Sequence, residues 1–172
     1  PEIGAEAALY FDPRSAEHMA ETLLLGMSDE GARARLIAQG DASNPIVFTS
    51  SEEPGNRFPG DWGGVVICGK DRVNKVDPQI EGGIIGGSYG GSIADDNSGI
   101  FRYVRIEFPG YRFQLNNEVN GLTMGGVGSG TEMHHVQVSY SQDDSFEWFG
   151  GTVDPHHLIA MGGTDDEFDC DF

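Results

Sequence analysis

The sequence is poor in positive charge and in long apolar runs. Ten lysines and arginines stand against 28 aspartates and glutamates, for a formal charge of −18. Such a surface repels nucleic-acid phosphates and anionic membranes and attracts cations, so nucleic acid is set aside as a partner. No apolar stretch approaches the ~20 residues that a membrane-spanning helix needs, so no transmembrane segment is expected. Only two cysteines occur, Cys68 and Cys170, far apart in the chain. Two separate buried thiols suit them better than a disulfide framework. No basic stretch followed by an apolar one opens the chain, and it ends in Asp169-Cys170-Asp171-Phe172 within a strand-like pattern. The sequence therefore reads as part of a longer one, truncated at its C-terminus.

Glycine, by contrast, is abundant, with 26 in 172 residues. Glycine inside a helix costs about 1 kcal/mol relative to alanine, so this composition calls for many tight turns instead. Its distribution splits the chain in two, because only 4 of the 26 precede residue 41. Residues 1–40 read as a short α-helical segment. Ser15 suits the cap of a helix over 16–25, with Met19, Leu23 and Leu24 on one face and Gly26 as its stop. Ser28 suits the cap of a second helix, with Asp29 and Glu30 in its first turn, Leu36 and Ile37 on its apolar side and Gly40 at its end. Residues 41–172 read differently: short β-rich runs such as Pro45-Ile46-Val47-Phe48-Thr49 and Gly64-Val65-Val66-Ile67-Cys68 alternate with glycine turns.

The decisive pattern is an internal repeat. His134-His135-Val136-Gln137-Val138-Ser139-Tyr140-Ser141-Gln142-Asp143-Asp144-Ser145-Phe146-Glu147 aligns without a gap on the stretch from His156-His157 to Thr164-Asp165-Asp166-Glu167-Phe168-Asp169, at an offset of 22. The histidine pair, the aspartate pair, the phenylalanine and the acid after it all coincide. Arg102 to Phe108 aligns one coil earlier at an offset of 32, the extra residues fitting a loop around 109–114. About 22 residues suit one turn of a parallel β-helix. The fold expected is mainly β, a right-handed parallel β-helix over 41–172 with the short helical segment before it.

Two resemblances accompany this reading. Pro1-Glu2-Ile3-Gly4, Ala7-Ala8-Leu9-Tyr10-Phe11-Asp12-Pro13, Ser28-Asp29 and Arg33-Ala34-Arg35-Leu36 resemble the C-terminal part of a family-4 GT-B glycosyltransferase. In that family the stretch follows a nucleotide-sugar site whose paired glutamates lie upstream. Those are missing here, so the resemblance implies an inactive glycosyltransferase-like fragment; a helical cap over an open solenoid end is equally compatible. Asn44-Pro45-Ile46-Val47-Phe48-Thr49-Ser50, Pro59-Gly60-Asp61-Trp62-Gly63-Gly64, Ile80-Glu81-Gly82-Gly83, Phe101 to Phe108, Asn120 to Thr131 and Gln137 to Gly151 are similar to bacterial secreted or lipid-anchored parallel β-helix proteins. That likeness implies an extracellular or cell-surface location, lipoprotein-like, and a β-helix fold. It implies no reaction.

If residues 22 apart are vertical neighbours, they lie about 4.8 Å apart across the stack. Asp143 then lies over Asp165, Asp144 over Asp166 and Glu147 over Asp169, with Asn116, Asn117 and Asn120 in the same columns one coil earlier. Carboxylates so close need a counter-ion or a raised pKa. Ca²⁺, with its 6–8 oxygen ligands, would meet that need, so Asp143, Asp144, Glu147, Asp165, Asp166 and Asp169 form the candidate metal column. Solvated or backbone-capping acids at coil corners are the alternative. A third reading makes Asp143, Asp144, Asp165 and Asp166 the acid and base of a polysaccharide-acting glycoside hydrolase. A β-elimination lyase is disfavoured, because no lysine or arginine falls within 113–172.

The pairs His134-His135 and His156-His157 should also stack. Strand alternation should point one member of each pair inward and the other outward, and without a further ligand type zinc is not supported. Trp62, Tyr89, Tyr111, Phe113, Trp148 and Phe149 could form a sugar-stacking platform, although core packing suits Trp148 and Phe149. The run Gly82-Gly83 to Gly90-Gly91 lacks the Lys-Ser/Thr pair of a phosphate cradle and reads as a loop. The leading reading is a surface β-helix module without catalysis that binds cations and glycans or other surface partners.

Overall fold

Alternation with period two is what lets these short runs bury one face and pair with neighbours on both edges. The computed structural model describes residues 36–82, 84, 86–114 and 117–171 and the backbone of 23–25. Twelve strands run through them: β1 Leu23–Leu25, β2 Leu36–Gln39, β3 Ile46–Phe48, β4 Val65–Cys68, β5 Gly99–Glu107, β6 Arg112–Gln114, β7 Asn117–Glu118, β8 Leu122–Val127, β9 Glu132–Ser139, β10 Phe146–Gly151, β11 His156–Met161 and β12 Phe168–Asp171. The first sheet has the order β1-β4-β8-β10-β12, and the second β11-β9-β5-β2, with β3 also on β5. Every pairing in these two sheets is parallel.

From β8 to β12 the chain passes from one sheet to the other and back at each coil. The repeat dictates the register. Phe146 pairs with Phe168 and Glu147 with Asp169, and His134 pairs with His156. The Phe146 and Phe168 rings stack 5.3 Å apart and within 8° of parallel. The earlier offset of 32 also holds, with Arg102 on His134 and Val104 on Val136.

Between the sheets lies one core. Val65, Ile67, Leu122, Met124 and Phe146 face Phe48, Phe101, Val104, Ile106, Val136 and Val138 across it, with Trp62 buried beside them. Each such side chain contributes roughly 1.5–3 kcal/mol on burial, and the Trp62 indole N–H is satisfied by the Glu107 carbonyl at 2.8 Å.

The N-terminal helices are not what the described residues show. Leu23–Leu25, expected inside the first helix, is a strand paired with Val65–Ile67. Leu36–Gln39, expected in the second, pairs with Gly99–Arg102. In β2 the sites alternate, with Leu36 and Ala38 buried and Ile37 and Gln39 exposed. Four residues carry too little periodicity to separate helix from strand, and the open edge of β5 decides the outcome. The caps expected at Ser15 and Ser28 and the stop at Gly26 lie outside the described residues.

Two excursions leave the coils. Residues 69–98 separate β4 from β5, and 108–121, carrying the antiparallel β6–β7 hairpin, separate β5 from β8. The first folds back over the outer face of the first sheet. There Ile80 and Tyr89 bury against Val66, Cys68 and Phe149, joined by Val119 from the second excursion. Gly125 makes this possible: a Cβ on it would lie 2.7 Å from Tyr89 Cγ and 2.8 Å from Ile80 Cδ1.

Candidate functional site

That covered face carries the acidic column. On the outward side of the first sheet, Thr123 in β8, Glu147 in β10 and Asp169 in β12 are vertical neighbours. The corner before β10 adds Asp143 and Asp144. Oxygens of Asp144, Glu147 and Asp169 lie within 4.8 Å of one another, and so do those of Asp143, Asp144 and Asp165. Asp144 is common to both groups. Asp166 joins neither group, and it reaches the cluster through its backbone N–H, which donates to Asp144 Oδ1 at 2.9 Å.

Glu147 is the deepest of these acids, at 4% exposure. Burial first, and then Glu81, Asp144, Asp169 and Asp171, push its carboxyl up to about 9. Asp144 is raised to about 7, chiefly by burial and by Asp143, Asp169 and Asp165, against the opposing hydrogen bond from Asp166. Asp143 is raised to about 6 by burial, Glu118, Asp165 and Glu81, with Arg112 pulling the other way. Loss of solvent leads in all three cases and like charge follows.

Two acids of this cluster lie far upstream of the repeat. Glu81 comes from the first excursion; its carboxyl is raised by loss of solvent and then by Glu118, Asp171 and Asp144. Glu118 comes from β7 and is ion-paired with Arg112 at 3.1 Å. Sequence reasoning missed both, because neither belongs to the 22-residue pattern. The same excursions bring Arg112 near Asp143 and Lys75 near Glu81. Distance along the chain therefore did not justify treating the acidic column as remote from every cation. Arg112 is nonetheless engaged with Glu118.

The expected asparagine column is only partly formed. Asn120 sits at 1% exposure, and its amide Nδ2 donates to Glu147 Oε2. Asn120 Oδ1 has no hydrogen-bond partner among the described residues, and neither does the buried Tyr89 hydroxyl. Asn117 instead accepts from the Gly82 backbone N–H at 2.6 Å. Asn116 lies outside the described residues. An acceptor left unpaired beside a crowd of carboxylates is what a bound cation would satisfy.

The aromatic residues do not assemble into one platform. Trp62 is in the core, Tyr89 and Phe149 pack together 6.0 Å apart beneath the first excursion, and Trp148 stacks on Phe146 and Phe168. Phe113 stands exposed in the hairpin. Cys68 is buried and Cys170 exposed, and neither forms a disulfide.

The histidine expectation is overturned. His135 and His157 take φ values of 52° and 57°, in the left-handed region, which breaks strand alternation at these positions. Neighbouring histidines therefore meet instead of pointing apart, with Nδ1 atoms 2.7 Å apart for His134 and His135 and 2.6 Å for His156 and His157.

Among the described residues no helix is long and apolar enough to cross a membrane. No curated protein and no solved structure matches the chain. A family model described as a pectate-lyase-like β-helix domain matches residues 29–171. Parallel coils in a 22-residue register and a match over most of the sequence agree, and the chain belongs to the pectate-lyase-like β-helix domain family.

Proposed function

We propose that this domain is a right-handed β-helix module of the cell surface or extracellular space that binds Ca²⁺ on the outer face of its first sheet and meets glycans or other surface partners. The observation that carries the reading is the convergence of Asp144, Glu147 and Asp169 oxygens within 4.8 Å, with the buried Asn120 oxygen unpartnered beside them. Three carboxylates form an all-oxygen set, which suits a hard cation, and further oxygens from water would complete its 6–8 ligands. Asp143 and Asp165 flank this group and add negative potential. A bound Ca²⁺ offsets the burial and, after it, the like charge that together hold Glu147 protonated at neutral pH.

Calorimetric titration with Ca²⁺ tests this directly. Because Glu147 must lose its proton to bind and Asp144 is about half protonated at pH 7, about one and a half protons should be released per ion, read as a difference in apparent enthalpy between buffers of unlike ionisation enthalpy. Glu147→Gln should abolish the binding. No heat at millimolar Ca²⁺, or binding untouched by Glu147→Gln, would remove the proposal.

A hydrolase has one feature in its favour. A carboxyl held protonated beside another carboxyl within about 5–5.5 Å is the arrangement of a retaining glycosidase, and Glu147 with Asp169 comes close to it. Against it, the 4% exposure of Glu147 leaves little room for a glycosidic oxygen. Turnover on a polysaccharide panel, lost in Glu147→Gln and Asp169→Asn with folding intact, would promote this reading over the first.

A further inference from the structure

The second sheet carries a different donor set on the opposite side of the coil. His134 and His156 are vertical neighbours with rings stacked 5.1 Å apart and 8° from parallel, and His135 stacks on His157 at 4.4 Å and 5°. The left-handed backbone at His135 and His157 turns each pair inward on itself, so the four rings form a two-by-two array. Nitrogen atoms of His135, His156 and His157 lie within 4.8 Å of one another. One rung up, Tyr103 has the same left-handed φ, 49°, and stacks on His135 at 4.5 Å, closing that side of the array with an aromatic face.

Two imidazole nitrogens facing each other at 2.6–2.7 Å cannot both present lone pairs unless a proton or a cation lies between them. Glu132 lies beside His134. Its Oε1 lies 3.3 Å from His134 Nε2 and is held by Arg102 Nη1 at 2.9 Å. A carboxylate beside the outer nitrogen of an imidazole is the usual outer support of a metal-bound histidine.

We propose that His135, His156 and His157, with His134 stacked on His156 and flanked by Glu132, bind a late first-row divalent transition ion such as Zn²⁺ or Cu²⁺. A nitrogen-only set selects such ions over Ca²⁺ and Mg²⁺, so this site differs from the acidic cluster in place and in chemistry. It stands whether or not the acidic cluster binds Ca²⁺.

The test is titration of the intact chain with Zn²⁺, alongside the electron paramagnetic resonance spectrum of the Cu²⁺ form. One ion per chain and nitrogen hyperfine splitting from several imidazoles are expected. His135→Asn and His157→Asn should each weaken Zn²⁺ at least tenfold while leaving the Ca²⁺ titration unchanged. Glu147→Gln should leave Zn²⁺ unchanged. Should a histidine variant fail to fold, the wild-type Cu²⁺ spectrum still decides. A spectrum with oxygen ligands only, or Zn²⁺ affinity unaffected by the histidine changes, would overturn the assignment.

Discussion

At the scale of single residues, Glu147 is where sequence, burial and charge meet. The repeat places an acid after each phenylalanine, and the excursions then cover the one in β10 more deeply than the one in β12, where Asp169 is only partly buried. With its carboxyl raised from the ordinary value to about 9, the folded state holds a proton that the unfolded state has already released. Its contribution to stability is therefore complete below about pH 4.5 and is lost as pH rises toward 9. The metal-free protein should show a melting temperature that falls across that window, and Glu147→Gln, which mimics the protonated form, should flatten the slope. A profile equally steep in the variant would assign the effect to Asp144 and Asp143 instead. Asn120 gives a second test, since Asn120→Ala removes both the unpartnered oxygen and the amide that donates to Glu147 Oε2. Calcium affinity should drop by about tenfold or more, measured by titration, while the pH slope through Glu147 persists. The repeat exposed Glu147 and Asp169 and set Asn120 in the same columns, but it did not show that the Asn120 amide would meet Glu147. Nor could it show that His135 would adopt a left-handed φ, a choice that costs an ordinary residue roughly 1–2 kcal/mol. The same backbone recurs at Tyr103, His135 and His157, and again at Phe108 and Tyr140 with Gly162 below them, so it belongs to the rung and not to one side chain.

At the scale of elements, the uninterrupted coils were legible and the interrupted ones were not. β9, β10, β11 and β12 follow one another at a constant spacing, so the offset of 22 translates into contact. β4 meets β8 as Val65 on Leu122, and β2 meets β5 as Leu36 on Gly99. Those separations are set by the lengths of the excursions and leave no periodic trace. For the same reason a short apolar run such as Leu36-Ile37 read as helix until the edge of β5 was available to it. The first excursion acts as a lid, and its seat is Gly125, whose φ is ordinary, so space alone decides what fits there. Gly125→Ala would put a methyl group 2.7 Å from Tyr89 Cγ, against a rigid ring. Overpacking of this kind costs typically 1–3 kcal/mol. A lower urea midpoint is expected, together with proteolytic cleavage within 69–98 at protease levels that leave the wild type intact. Unchanged cleavage would mean that Tyr89 shifts aside without releasing the lid.

At the scale of the whole molecule, a stack of coils distributes stability rung by rung, because each coil touches only its neighbours. Phe146→Ala should cost about 3–5 kcal/mol, and amide exchange should show the loss concentrated in β8, β10 and β12, with β2 and β3 little affected. Charge behaves differently, since −18 acts on the whole surface at once. Part of that repulsion is diffuse and yields to any salt, with a screening length of about 10 Å at 0.1 M. Part is concentrated between Asp143, Asp144, Glu147, Asp165 and Asp169, where neighbouring oxygens are closer than a screening layer is thick. Sodium chloride should therefore raise the melting temperature gradually over hundreds of millimolar. Calcium should raise it steeply at far lower ionic strength, adding about 2.7 kcal/mol of stability once the free ion reaches a hundred times its dissociation constant. In Glu147→Gln the sodium response should remain and the steep calcium response should vanish. If calcium and sodium act alike at equal ionic strength in the wild type, the cluster is a diffuse surface charge and not a site.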